Sequence, residues 1–142
     1  MADNSGDRRK ALARIHRVRT LQFGLAQADE LTARDRHASE VQLAERIAAL
    51  AASVAPRDGS GVSLAAQAHY RERLTQSAAA AEQRVRTARF QSVQASEKSR
   101  AAHRDQVAVE KLIARAHADA ALRELRDLQN APPIRKVRHD PC

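Results

Sequence analysis

Residues 74–120, LTQSAAAAEQRVRTARFQSVQASEKSRAAHRDQVAVEKLIARAHADA, decide how this chain folds. Alternating steps of four and three from Leu74 pick out Leu74, Ala78, Ala81, Val85, Ala88, Ser92, Ala95, Ser99, Ala102, Gln106, Val109, Ile113, Ala116 and Ala120. None of these is charged, whereas most of the Arg, Lys, Glu and Asp of the segment lie between them. One narrow stripe of small and apolar residues on a charged helix is the pattern of a coiled-coil seam. The seam is thin, because Ala and Ser each offer little area at roughly 25 cal/mol per Å² buried, so such a helix does not fold alone. It needs a partner helix, and its small residues let that partner come close.

The rest of the composition agrees. The chain has 142 residues, 43% hydrophobic and 30% charged, enough for one ordinary domain. Much of the apolar share is alanine. With no Trp, one Tyr, two Phe, four Gly and four Pro, there is little to build a wide core or a sheet, and the expected class is all-α.

The net charge is +8 and is unevenly placed. Arg8, Arg9, Lys10, Arg14, Arg17 and Arg19 outweigh Asp3 and Asp7 in the first twenty residues, and Arg135, Lys136 and Arg138 outweigh Asp140 at the other end. No apolar run approaches the roughly 20 residues of a membrane span, and the first residues lack a signal-peptide core, so a cytoplasmic protein without membrane insertion is expected. The one Cys, Cys142, has no internal disulfide partner and is not at the prenylation position.

In chain order, residues 1–7 are polar and expected to be disordered, with Asp7 as N-cap of a first helix over 8–55. Its apolar stripe reads Val18, Leu21, Leu25, Ala28, Leu43, Ile47, Leu50 and Val54, crossed midway by Thr32, Arg36 and Ser39. Pro56-Arg57-Asp58-Gly59-Ser60-Gly61 is a dense cluster of breakers, and 56–63 reads as a turn. Ser63 can cap a second helix over 64–130, which Asn130 and Pro132-Pro133 stop, leaving a basic, disordered tail at 131–142. Glu30 with Arg34, Glu82 with Arg86 and Asp119 with Arg123 have the spacing of helix-surface pairs.

The expected architecture is a long antiparallel two-helix coiled-coil hairpin with unequal helices. A register set by the turn makes facing residue numbers add to about 117, placing Leu43 beside Leu74, Leu25 beside Ser92 and Val18 beside Ser99. Two dozen or so residues of the second helix, including Ile113, Leu122, Leu125 and Leu128, would then project beyond the first, and an uncovered apolar stripe implies another protein.

Signals for chemistry are sparse. His16, His37, His69, His103, His117 and His139 lack the i,i+4 spacing that sets two imidazoles on one metal, so no metal or cofactor is expected. There is no paired Cys, phosphate loop or Ser elbow, and two helices offer no concave site in which to shift a pKa, so no enzyme is expected. The basic cluster at the first helix has three readings: a solvated charged face, a dock for an acidic protein, or a phosphate grip. Nucleic acid is disfavoured, because no aromatics interleave the charges to stack bases. Phe23, Val41, Phe90 and Val93 lie off the expected seam. Phe90 and Val93, three apart, either broaden the packing or meet a partner side-on.

The size, the unequal hairpin, the opening Arg14-Ile15-His16-Arg17-Val18-Arg19, the segment Tyr70-Arg71-Glu72-Arg73-Leu74 and the run Val109-Glu110-Lys111-Leu112-Ile113-Ala114-Arg115-Ala116 together resemble the FliJ family. That family, with counterparts in virulence type III secretion, supplies the stalk of the flagellar export ATPase. The likeness covers nearly the whole chain, and its most specific part is the Val-Glu-Lys-Leu segment.

The resemblance implies a rod whose end carrying both termini enters a hexameric export ATPase ring. Its flank would contact the cytoplasmic domain of the export-gate membrane protein, and export chaperones would be further partners. On this chain it points to Arg14, Arg17, Leu112, Ile113 and Arg115 for the ring, and to Phe90 and Val93 for the gate. The rivals are a basic coiled coil associated with nucleic acid and a generic dimeric coiled-coil scaffold in which the turn is only a kink.

Overall fold

The computed structural model describes residues 3–54 and 61–132, which form two helices packed antiparallel within one chain. Helix α1 is Asp3–Ser53 and helix α2 is Gly61–Gln129, of 51 and 69 residues. At about 1.5 Å per residue they are roughly 77 and 104 Å long. The fold is the expected all-α hairpin of unequal helices.

Both helices start earlier than the capping residues suggest. Asp7 and Ser63 lie inside α1 and α2 rather than at their caps, and helical structure already covers positions 3–7, which the sequence reading left disordered. An acidic Asp7 in the opening turns suits the positive end of the helix dipole. Helix α1 closes with Ser53 Oγ donating to the Leu50 carbonyl at 2.9 Å. At the end of α2, Asn130 N donates to the Arg126 carbonyl at 3.0 Å and Ala131 N to that of Leu128 at 3.3 Å. Residues 61–63 of the expected turn are helical, whereas residue 55 of the expected first helix, 56–60 of the expected turn, and 133–142 with the basic cluster Arg135-Lys136-Val137-Arg138 and Cys142 lie outside the described residues.

The α2 seam is the predicted one. All fourteen positions from Leu74 to Ala120 are buried or half-buried, and Ala81, Ala88, Ser99 and Val109 are the most covered. The α1 seam is not the predicted stripe. The half-buried positions run Leu12, His16, Arg19, Phe23, Ala26, Glu30, Ala33, His37, Glu40, Ala44, Ile47, Ala51 and Val54, again in alternating steps of four and three. Phe23 is therefore in the seam, Val41 flanks it half-buried, and Val18, Leu21, Leu25, Leu43 and Leu50 face solvent.

The physical reason is the period. The apolar stripe from Val18 to Val54 recurs every 3.6 residues, whereas the seam of α2 recurs every 3.5. Two helices that supercoil together must share one period, and a 3.6-residue stripe drifts about 20° per heptad from a 3.5-residue partner. The strict heptad from Leu12 to Val54 stays in line along the whole rod, although it carries His16, Arg19, Glu30, His37 and Glu40.

Polar partners on α2 accommodate His16, Arg19 and Glu40. His16 Nε2 is 3.2 Å from Glu110 Oε1, Arg19 Nη1 donates to Asp105 Oδ2 at 3.1 Å, and Arg84 Nε donates to Glu40 Oε2 at 3.1 Å. Gln106 Nε2 donates to Thr20 Oγ1 at 3.4 Å, and the Phe23 ring stacks, tilted by 37°, on His103 with centroids 4.9 Å apart. Among the described residues no buried side-chain polar atom lacks a partner.

These pairs also correct the register. The residue numbers of Arg19–Asp105 and Glu40–Arg84 add to 124, those of Val54–Arg71 to 125 and those of His16–Glu110, Thr20–Gln106 and Phe23–His103 to 126. The expected total of about 117 is displaced by two helical turns. Complementary seam residues, rather than symmetry about the breaker cluster, set the alignment. Two overhangs change with it. Residues 61–70 of α2 extend past the end of α1, where Arg71 Nη2 caps the Val54 carbonyl at 3.0 Å. At the opposite pole only about the last turn or two of α2 outrun Asp3, so Ile113 sits in the seam across from Leu12 and is covered rather than overhanging.

Candidate partner-binding site

The antiparallel arrangement brings the beginning of α1 and the end of α2 to one pole. There the seam opens into a groove on each side. One, of about 440 Å³, is lined by Gly6, Arg9, Lys10, Leu12, Ala13, Ile113, Ala116 and His117. The other lies between Arg8, Arg9 and Leu12 of α1 and Leu112, Arg115, Ala116, Asp119, Ala120 and Arg123 of α2. Small residues at Ala13, Ala116 and Ala120 create both grooves, because they leave the space that a larger seam residue would fill.

The residues assigned to a ring divide between these surfaces. Leu112 and Arg115 line the second groove, and Ile113 lines the first from within the seam. Arg14 and Arg17 are at the same pole but on the outer side of α1. Among the described residues none of Arg14, Arg17 and Arg115 is ion-paired. Leu122, Leu125 and Leu128 are exposed beside them. Sequence reading missed Arg8, Arg9 and Arg123 as groove walls, because their convergence with Leu112 and Arg115 depends on the true register.

Phe90 and Val93 are 63% and 51% exposed on the side of α2 away from α1. They do not broaden the seam. They form an apolar spot near mid-rod, far from the pole grooves.

Glu30 is the titratable group whose setting changes most. A hydrogen bond from the Ser99 hydroxyl holds its carboxyl below the ordinary value of 4.5, against an opposing effect of desolvation. Ser96, Arg34 and Arg100 add smaller effects in the lowering direction. Arg34 also pairs directly with Glu30 one turn along α1.

The fold and these surfaces define a class: a charged, antiparallel two-helix coiled coil with open grooves at the pole of its chain ends. No family model matches the chain, and no curated protein and no solved structure match it.

Proposed function

We propose that this chain is a non-enzymatic stalk or coupling element of a flagellar-type protein export apparatus. Its pole of chain ends enters a hexameric export ATPase ring, and its flank addresses the cytoplasmic domain of the export gate. The observation that supports this most is the pole itself. Leu112 and Arg115 stand with Arg8, Arg9 and Arg123 around an open groove, with Leu122, Leu125 and Leu128 uncovered beside it. Apolar area supplies affinity there, and arginines that outnumber the one acidic wall, Asp119, supply attraction to acidic loops and fix orientation.

Arg14 and Arg17 extend the basic surface along α1, and Ile113 holds the two helices together beneath it. Phe90 and Val93 are the contact offered to the gate. The rod acts by differential binding: touching several ring subunits at once, it shifts the ATPase toward its assembled, active form without hydrolysing anything itself. Its working place is the cytoplasmic face of a membrane-bound apparatus. Among the described residues no helix is long and apolar enough to cross a membrane.

The test is ATP hydrolysis by the cognate export ATPase at several concentrations, with and without this chain. Stimulation is expected to be strongest where the ATPase alone fails to assemble, and to be lost with Leu112→Asp plus Arg115→Glu. Both side chains lie outside the seam, so helicity is retained in that variant. Absence of stimulation by folded protein, or full stimulation by the variant, overturns the proposal.

A further inference from the structure

The outer face of α1 carries an apolar stripe that the hairpin does not use. Val18, Leu21 and Leu25 are 52%, 65% and 69% exposed, and Ala28 continues the row. Their spacing, three then four then three, is that of a second heptad seam on the side of α1 turned away from α2. The hairpin's own seam buries Ala, Ser and Val, and among the described residues no large side chain is fully covered. The chain exposes 12105 Å², against about 7,200 Å² for a compact monomer of 15.6 kDa.

We propose that a second copy of this chain covers the stripe, the two α1 helices pairing antiparallel about a two-fold axis so that Leu21 of each copy meets Leu25 of the other. Val18 then meets the other copy's Ala28, which gives four apolar layers. The charges beside the stripe select this arrangement. Arg17 precedes it and Asp29 follows it, and among the described residues neither is ion-paired within the hairpin, whereas Arg36, farther along, comes beside Lys10 of the other copy outside the apolar layers. Antiparallel pairing sets Arg17 of one copy beside Asp29 of the other, twice, while parallel pairing would stack Arg14 and Arg17 on their own copies. The interface is self-complementary, as a two-fold contact requires.

The contact is small. Residues 11–35 of α1 give a strip about 36 Å long and one helix wide, roughly 700 Å² over both copies. This lies below the approximately 1,200 Å² of stable complexes, so the dimer is weak and reversible, with a population set by protein concentration. It is independent of the coupling role, although it covers Arg17 and so leaves a paired copy less of that α1 surface to offer a ring.

Sedimentation velocity of the full chain under reducing conditions, across about a hundredfold range of concentration, tests the pairing. A reversible monomer–dimer equilibrium that weakens with added salt is expected. Leu21→Asp with Leu25→Asp should be monomeric throughout, with unchanged helicity by circular dichroism, because both side chains already face water in the hairpin. Arg17→Glu should weaken dimerisation by about tenfold, from two lost surface pairs. Arg17→Glu with Asp29→Arg should restore it. A monomer at every concentration overturns the proposal. So does a dimer that survives Leu21→Asp with Leu25→Asp, or a double charge reversal that restores nothing.

Discussion

Glu30 on α1 meets Ser99 on α2 across the seam, the Ser99 hydroxyl being the chief influence that holds the Glu30 carboxyl below its ordinary value, and so a charged residue occupies the middle of a seam where an apolar one would be expected. Ser99 is itself buried. A carboxylate at a covered seam position is tolerated because hydroxyls and cations satisfy it when ionised.

That arrangement makes stability depend on pH in a stated direction. The carboxyl is held below its ordinary value in the folded state, so its contribution is present above the unfolded value and lost as pH falls through the folded one. The melting temperature is expected to drop as pH falls through the range below 4.5. Glu30→Gln should show a smaller drop over that window. An equal drop in the wild type and in Glu30→Gln would place the sensitivity elsewhere.

The close approach of the helices rests on alanine. Ala81 is fully buried in the seam, across from Ala44. Ala81→Leu is expected to force the helices apart and destabilise the hairpin by about 1–3 kcal/mol, the cost of overpacking. Urea denaturation followed by circular dichroism measures it. A stabilised Ala81→Leu variant would mean that the seam has room which the structure does not contain.

Gly24 tests the opposite situation. It lies inside α1, and a Cβ built there meets nothing within 4 Å. Gly24→Ala removes unfolded-state freedom without a clash, so stability should rise by about 1 kcal/mol. Thermal melts of the wild type and the variant at matched concentration read the change, and an unchanged melting temperature would contradict it.

The two helices were not equally legible. In α2 the apolar period and the supercoil period coincide at Leu74, Ala81, Ala88 and Val109, so sequence alone located the seam. In α1 they diverge. The more apolar row, Val18 to Val54, drifts around the helix, and the one that packs carries Arg19, Glu30 and Glu40, which hydrophobicity ranks last. What recommends it is complementarity with Asp105, Ser99 and Arg84 at a distance of 44 to 86 residues in sequence, and no local window contains that. The candidate site inherited the error. Leu112, Ile113 and Arg115 all moved out of the expected overhang: Leu112 and Arg115 line a groove against α1, Ile113 enters the seam, and Arg8, Arg9 and Arg123 joined the groove only once the register was known.

The register itself can be read chemically. With facing numbers adding to 125, Ala44 lies across the seam from Ala81, whereas a total of 117 would put Leu43 across from Leu74. In a Cys142→Ser background, Ala44→Cys with Ala81→Cys should close an intramolecular disulfide under mild oxidation. Leu43→Cys with Leu74→Cys should not, because those positions are then about eight residues, or roughly 12 Å, apart along the rod, beyond the reach of a disulfide. The crosslinked chain should migrate as a compact monomer in a non-reducing gel at low protein concentration, where pairing between copies does not compete. Efficient closure of the second pair instead of the first would move α1 by two turns, cover Ile113 no longer, and return it to the overhang.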